Sequence, residues 1–179
     1  MRHFVGAHIW DVMQAAPATI NWAQNIDPSC GMQWADKRGI YALEWDSSCC
    51  ASAPQVERAG PAVATLFGAA RTRPDRAARA NIARDVAETL ACQRPIEAAL
   101  MDLDGEFLLM AWDDVSATSF LATDPTGHHS LYYASVPGGI VWSSHPLRVA
   151  KFLGPARLNR EAINLYFALK GVPAPWSML

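Results

Sequence analysis

The sequence predicts an α+β fold built on antiparallel sheets. Short apolar runs fall into two groups, one before residue 68 and one from 106 to 143, with helical patterning between and after them. The connectors of the second group, residues 113–118, 124–130 and 136–139, are turn-rich. They are also too short for a parallel crossover, which needs roughly a dozen residues. The chain has 179 residues, 51% of them hydrophobic and 18% charged. A chain of that size makes one globular domain with room for a tail, and it buries roughly 70% of its unfolded surface without staples.

Residues 4–10, apolar throughout, read as the first strand. Residues 11–37, with Pro17, Asn21, Asn25, Pro28 and Gly31, carry no clear period. A second strand spans 39–45, and 46–61, rich in Ser, Cys, Ala and Pro, read as loop. A third apolar run, 62–67, ends at Gly68. Pro74 and Asp75 suit the first turn of a helix, because Pro loses no amide there and Asp complements the dipole. Ala78, Ile82, Val86 and Leu90 then place one apolar stripe on that helix.

Pro95 opens a short helix from Ile96 to about Met101, and Asp104-Gly105 signals a turn. Strands follow at 106–112, 119–123, 131–135 and 140–143. Pro146 opens a helix closed by Gly154. Asn159 caps a last helix carrying Ile163, Tyr166, Phe167 and Lys170 at 3–4 spacing, and Gly171, Pro173 and Pro175 end it. No internal repeat is present.

Composition excludes several function classes. A net charge of −2 gives no electrostatic case for a nucleic-acid or membrane partner. No apolar run reaches the roughly 20 residues of a membrane span. The start lacks a basic region and a long apolar run, and Asp11 interrupts the apolar stretch, so it does not read as a secretory signal. Cys30, Cys49, Cys50 and Cys92 show no C-x-x-C spacing, and adjacent Cys49 and Cys50 pair poorly. Reduced thiols and a cytoplasmic location are the expectation.

The second half carries a string of motifs. Leu103-Asp104-Gly105-Glu106-Phe107 leads to Trp112-Asp113; then come Thr123-Asp124-Pro125-Thr126-Gly127 and Ser130-Leu131-Tyr132-Tyr133. Ser143-Ser144-His145 and Gly171-Val172-Pro173-Ala174-Pro175 complete it. In order and spacing this resembles the amino-terminal glutamine amidotransferase domain of the asparagine synthetase family, over 96–175. The family reads L-x-G-x-F…L-W-D, R-D-x-x-G, P-L-Y-Y, A-S-E and G-x-V-P-x-P there. The resemblance implies an amino-terminal-nucleophile hydrolase fold: a four-layer αββα sandwich of two antiparallel sheets flanked by helices. Asp104, Gly105, Phe107, Asp124, Gly127, Tyr132 and Tyr133 are its fold-motif residues here.

In the first half, Met1-Arg2-His3-Phe4-Val5-Gly6 stands against the family's M-C-G-I-x-G. The family's chemistry needs a cysteine as the first residue, with its own α-amine as base, attacking the side-chain amide of glutamine. Backbone and Asn donors hold the oxyanion. Arg2 is a permanent cation with no nucleophilic electron pair, and so bulky a residue is expected to prevent removal of Met1. His3 replaces the family's glycine. Phe67-Gly68 stands where the family has Asn-Gly, without the side-chain donor, and no His-Arg-Gly-Pro-Asp segment is present. Asp85 stands near the place of the family's substrate-gripping Asp.

The resulting expectation is a vestigial pocket of Arg2, His3, Phe67, Gly68 and Asp85, with no catalytic residue and no metal. The resemblance extends to the cysteine-less branch, β-lactam synthetases and lasso-peptide cyclases. There the substrate supplies its own amine and the amidotransferase fold serves as scaffold. Residues 1–157 are then the amidotransferase-like domain, and 158–179 a helix and the start of a linker to an ATP-dependent synthetase half. The pyrophosphate loop of that half, S-G-G-x-D-S, does not occur in this sequence, so ATP and Mg2+ are expected only in an absent synthetase domain and no cofactor in this chain. A synthetase-like polypeptide and a precursor peptide are the expected partners. The alternatives are the amino-terminal domain of a glutamine-dependent asparagine synthetase and a stand-alone peptide- or protein-binding module.

Other groupings have blander readings. His128-His129 could suggest a metal, but adjacent residues point apart, so a surface loop is expected. Arg71, Arg73, Arg76, Arg79 and Arg84 could hold an acidic peptide or nucleic acid, and read as a solvated helix face. Asp102, Asp104 and Glu106 could do acid–base work only if they converged, and the hairpin reading separates them. Cys49 and Cys50 lack the setting of a nucleophile. Trp10, Trp45, Trp112 and Trp142 read as sheet-packing core.

Overall fold

The computed structural model describes residues 4–27, 30–36, 39–45, 54–75, 80–116, 118–154 and 158–173. The chain forms two compact units.

The first unit is a five-stranded sheet. Strand β1 (Phe4–Ile9) lies between β3 (Gly39–Trp45) and β9 (Gly139–Ser143), with β2 (Gly31–Asp36) and β8 (Tyr132–Val136) at the edges. The pairings of β1 with β3 and β9, and of β8 with β9, are antiparallel. Helices α1 (Pro17–Gln24) and α4 (Pro146–Leu153) cover one face, where Ala7, Ile9, Ile40, Ala42 and Val141 pack with Ala23 and Val149. All six residues of β1 are buried, so both of its faces are dry. That is why β1 reads as a continuous apolar run with no alternation.

On the other face Gly6 pairs with Trp142 across β1 and β9. A Cβ at Gly6 would run into the indole, which is fully buried and packs 5.6 Å from the Tyr41 ring. The hairpin β8–β9 turns at Pro137-Gly138, with Gly138 at φ 70°. Its carbonyl accepts the Trp10 and Asp11 amides at 2.9 and 3.0 Å and so fixes the exit of β1. The last helix, α5 (Arg160–Leu169), is capped by Asn159, whose side chain accepts from the Glu161 and Ala162 amides. Only Ala162 of α5 is buried.

The second unit is a four-stranded antiparallel sheet of β4 (Gln55–Ala59), β5 (Ala62–Thr72), β6 (Leu103–Asp113) and β7 (Thr118–Thr123), in that order. Strands β5 and β6 stay in one register from Ala62↔Asp113 to Thr72↔Leu103. Helices α2 (Ile82–Ala91) and α3 (Ile96–Met101) pack on the face that presents Ala62, Ala64, Leu66, Leu103, Phe107, Leu109 and Ala111. Ile82, Ala83, Val86, Ala87 and Leu90 supply the helical side. Each aliphatic side chain so buried stabilises by about 1.5–3 kcal/mol relative to exposure.

Antiparallel sheets with helices packed on them give the α+β class that the sequence predicts, and several elements differ from the reading. Residues 55–59 form β4 where loop is expected; its half-exposed pattern hides a strand whose partner is the next segment. Strand β5 does not stop at Gly68, which takes φ 92° inside the strand, and Asp104-Gly105 is no turn but part of β6, with Gly105 at φ 101°. Pairing with a long neighbour overrides the local glycine signal. Helix α2 begins at Ile82, capped by Asn81, not at Pro74-Asp75, which form a turn. Ala78, with Arg76 and Arg79, lies outside the described residues. Trp10 is 49% exposed just past β1, and Trp45 is half-buried, so of the four strand tryptophans only Trp112 and Trp142 are core. Helix α1 and strand β2 lie in the stretch with no legible period.

Gly6→Ala is expected to cost about 1–3 kcal/mol by overpacking against Trp142, read as a shift in the urea midpoint. Gly171→Ala, where a Cβ meets open space, is the control and changes stability by less than about 0.5 kcal/mol.

Candidate functional site

Arg2 and His3, the expected nucleophile position and its neighbour, lie outside the described residues, as do Cys49 and Cys50. What the structure shows in the first unit is how the chain is held just after them. The Phe4 amide donates to Ser144 Oγ at 3.1 Å, the Ser143 hydroxyl donates to the Phe4 carbonyl, and the Ser144 amide donates to the same carbonyl at 3.3 Å. These serines belong to the Ser143-Ser144-His145 motif. They work by saturating the backbone of Phe4, the first residue of β1, where the strand ladder ends. Ser143 Oγ also accepts the His145 amide at 3.1 Å, and His145 caps α4 through its side chain. One short segment therefore ties together the start of β1, the end of β9 and the start of α4.

In the second unit Phe67 and Gly68 sit on β5, opposite Leu108 and Phe107. Phe67 is buried. Gly68 is required by its conformation, since φ is 92°, and by contact, since a Cβ there would strike the Glu106 carbonyl oxygen and come within 3.1 Å of His129 Nε2. The His129 imidazole thus closes over Gly68, a juxtaposition with no signal in the sequence. Asp85 lies in the first turn of α2, half-buried, where it complements the helix dipole. Helix α2 covers the face of Ala62, Ala64 and Leu66, whereas Phe67 belongs to the opposite face by strand alternation. Asp85 and Phe67 are not brought together.

The motif aspartates prove to be turn builders. Asp124 is 2% exposed and follows β7. Its amide continues the ladder to the Phe107 carbonyl at 2.9 Å. Its Oδ1 accepts the Thr126 hydroxyl, the Thr126 amide at 3.0 Å and the His128 amide at 3.3 Å. Gly127, at φ 66°, donates its amide back to the Asp124 carbonyl. The Thr126 hydroxyl, followed by the loop amides, brings the Asp124 pKa down from 3.8 to about 2 against the opposing effect of burial.

Asp113 does the same at the end of β6. It accepts the Val115 amide, the Ser116 amide and hydroxyl, and Gln93 Nε2 at 2.7 Å. Burial raises its pKa, yet those donors outweigh burial and hold it below the usual carboxylate value. Gln93, at φ 54° between α2 and α3, thereby anchors the helical corner to the sheet.

The three neighbouring acids do not converge. Asp104 accepts the Gly105 amide at 2.8 Å and pairs with Arg71 at 3.1 Å, which together lower its pKa. Glu106 pairs with His128 at 3.2 Å in an exposed contact. His128 and His129 take different partners, as adjacent residues should, and among the described residues no cluster of His, Cys, Asp or Glu could hold a metal. Tyr132 packs on the first unit's core, while its neighbour Tyr133 is exposed. The basic residues are not one helix face: Arg71 lies on β5 and Arg84 pairs with Glu88 on α2. Among the described residues no helix is long and apolar enough to cross a membrane.

Residues 73–150 match the model of a family described as a glutamine amidotransferase domain. No curated protein matches the chain.

Asp124→Ala is expected to destabilise by about 1–3 kcal/mol through the orphaned loop donors. The folded pKa of Asp124 lies below its unfolded value, so the unfolded chain takes up the proton first. The contribution is therefore whole above pH 4 or so and is lost as pH falls toward about 2. Urea midpoints between pH 5 and pH 2.5 are expected to fall less steeply in Asp124→Asn than in the wild type.

Proposed function

We propose that this chain is a catalytically silent amidotransferase-like scaffold of an asparagine-synthetase-like, ATP-dependent amide-forming enzyme, one that closes a lactam or macrolactam. The observation that carries this reading is Arg2 at the nucleophile position. The register that puts it there is supported by Gly6, the last glycine of the M-C-G-I-x-G match, which sits under Trp142 where no side chain fits. A guanidinium can neither attack an amide carbon nor be acylated. The motifs that survive have structural work independent of that chemistry: Asp113 and Asp124 close turns, and Ser143 and Ser144 hold β1.

In this reading residues 1–157 form the scaffold and 158–179 lead toward the synthetase half in the cytoplasm. Tyr166, Phe167 and Leu169 of α5 are 45%, 78% and 62% exposed, apolar surface suited to docking it. ATP and Mg2+ would be held by that half, which activates the carboxylate; no step in this chain passes through them. A precursor peptide is the substrate class, since an internal amine removes the need for ammonia. The match to a glutamine amidotransferase domain favours a second reading, an active glutamine-hydrolysing domain of an asparagine synthetase. A stand-alone peptide-binding module is a third.

Purified chain incubated with glutamine is expected to release no glutamate above the spontaneous rate. Arg2→Cys is expected to stay inactive as well, because Phe67 offers no oxyanion donor in place of the family's Asn. Turnover by the wild type would establish the second reading; turnover by Arg2→Cys alone would show an intact pocket. Phe167→Glu is expected to abolish capture of a synthetase-like polypeptide carrying S-G-G-x-D-S. Capture of a precursor peptide without that polypeptide would favour the third reading.

A further inference from the structure

The basic residues between 71 and 84 divide their tasks. Arg71 is held by Asp104 and Arg84 by Glu88. Arg73 has no ion pair among the described residues, and it lines a cavity of about 290 Å3 in the second unit. The rest of the lining is mainly apolar, with Leu100 and Met101 at the end of α3, Leu103 and Phe107 on β6, and Ala122 on β7. The cavity exists because the helices stop short of the sheet edge. Helix α2 packs on β4, β5 and β6. Phe120 and Ala122 on the edge strand β7 face the same side and are left half-buried. Leu103 and Phe107 form the cavity floor and are fixed in the core, so the cavity cannot collapse onto them cheaply.

We propose that this cavity binds a small monocarboxylate with an apolar body of about eight carbons. The volume accommodates roughly ten water-sized groups, at the low end of small-molecule sites. The apolar body lies against Leu100, Leu103, Phe107 and Ala122, and the carboxylate meets the Arg73 guanidinium, whose planar fork matches it. This site is independent of the nucleophile position and of the scaffold reading.

The test is titration of the full chain with sodium octanoate, 1-octanol and octylamine, followed by amide chemical shifts. Octanoate is expected to bind at least tenfold more tightly than either analogue, with shifts at Leu103, Phe107 and Ala122. Arg73→Gln is expected to weaken octanoate about tenfold and leave octanol unchanged. Ala122→Trp is expected to fill the cavity and abolish binding. Met101→Glu, at an exposed helix end, places a repelling carboxylate at the mouth and weakens octanoate even if Ala122→Trp does not fold. Equal affinity for octanoate and octylamine, an Arg73→Gln affinity equal to wild type, shifts confined to other residues, or no saturable binding each overturns the proposal.

Discussion

A strand that is dry on both faces must find a partner for every amide and carbonyl it carries, and that constraint organises this molecule. Strand β1 is buried throughout, and β6 is buried from Phe107 to Asp113. Each is flanked on both sides by antiparallel neighbours, β1 by β3 and β9 and β6 by β5 and β7. The ladders satisfy the middle of each strand and leave the ends in debt. Ser143 and Ser144 settle the start of β1. Asp113 orders the turn after β6, and Asp124 continues the β6 ladder beyond β7 before folding the chain back. A buried backbone group left without a partner costs as much as a lost hydrogen bond or more, so these side chains are fixed by folding alone.

That conclusion separates two things a family motif can mean. The string from Leu103 to Tyr133 lies within the stretch that matches a glutamine amidotransferase domain, yet Asp113, Asp124 and Gly127 are consumed by turns and strand ends. Asp124 illustrates this: its lowered pKa comes from the hydrogen bonds that build a loop, not from a partner in proton transfer. Perturbed carboxylates mark active sites only when their perturbers are catalytic in arrangement; here the perturbers are Thr126 and loop amides.

The sequence showed the parts of the fold where local and tertiary preferences agree. β1 and β3 were legible as apolar runs, α4 through Pro146 and Gly154, and α5 through Asn159. It hid the parts where pairing wins over local preference. Gly68 and Gly105 read as stops because glycine with positive φ usually ends an element, whereas here two long strands carry them within a continuous register. Helix α1 has eight residues and buries only Thr19 and Ala23, too little to write a period. In the site, Arg2 and His3 lie outside the described residues, so the expectation placed on them stays one of residue type alone. The closure of His129 over Gly68 was not, since it joins residues sixty-one positions apart through a loop whose path Asp124 sets.

The match to a glutamine amidotransferase domain does not reach the first strand of the chain. The matched stretch, 73–150, begins beyond the nucleophile position, Gly6 and Gly68, and covers the segment whose residues are held by turn chemistry and core packing. Turn closure and core packing account for those residues without reference to glutamine. A side-chain donor at position 67 would have to replace a phenyl ring that is buried. A buried amide there would need a hydrogen-bond partner of its own, and without one it would weigh against the fold.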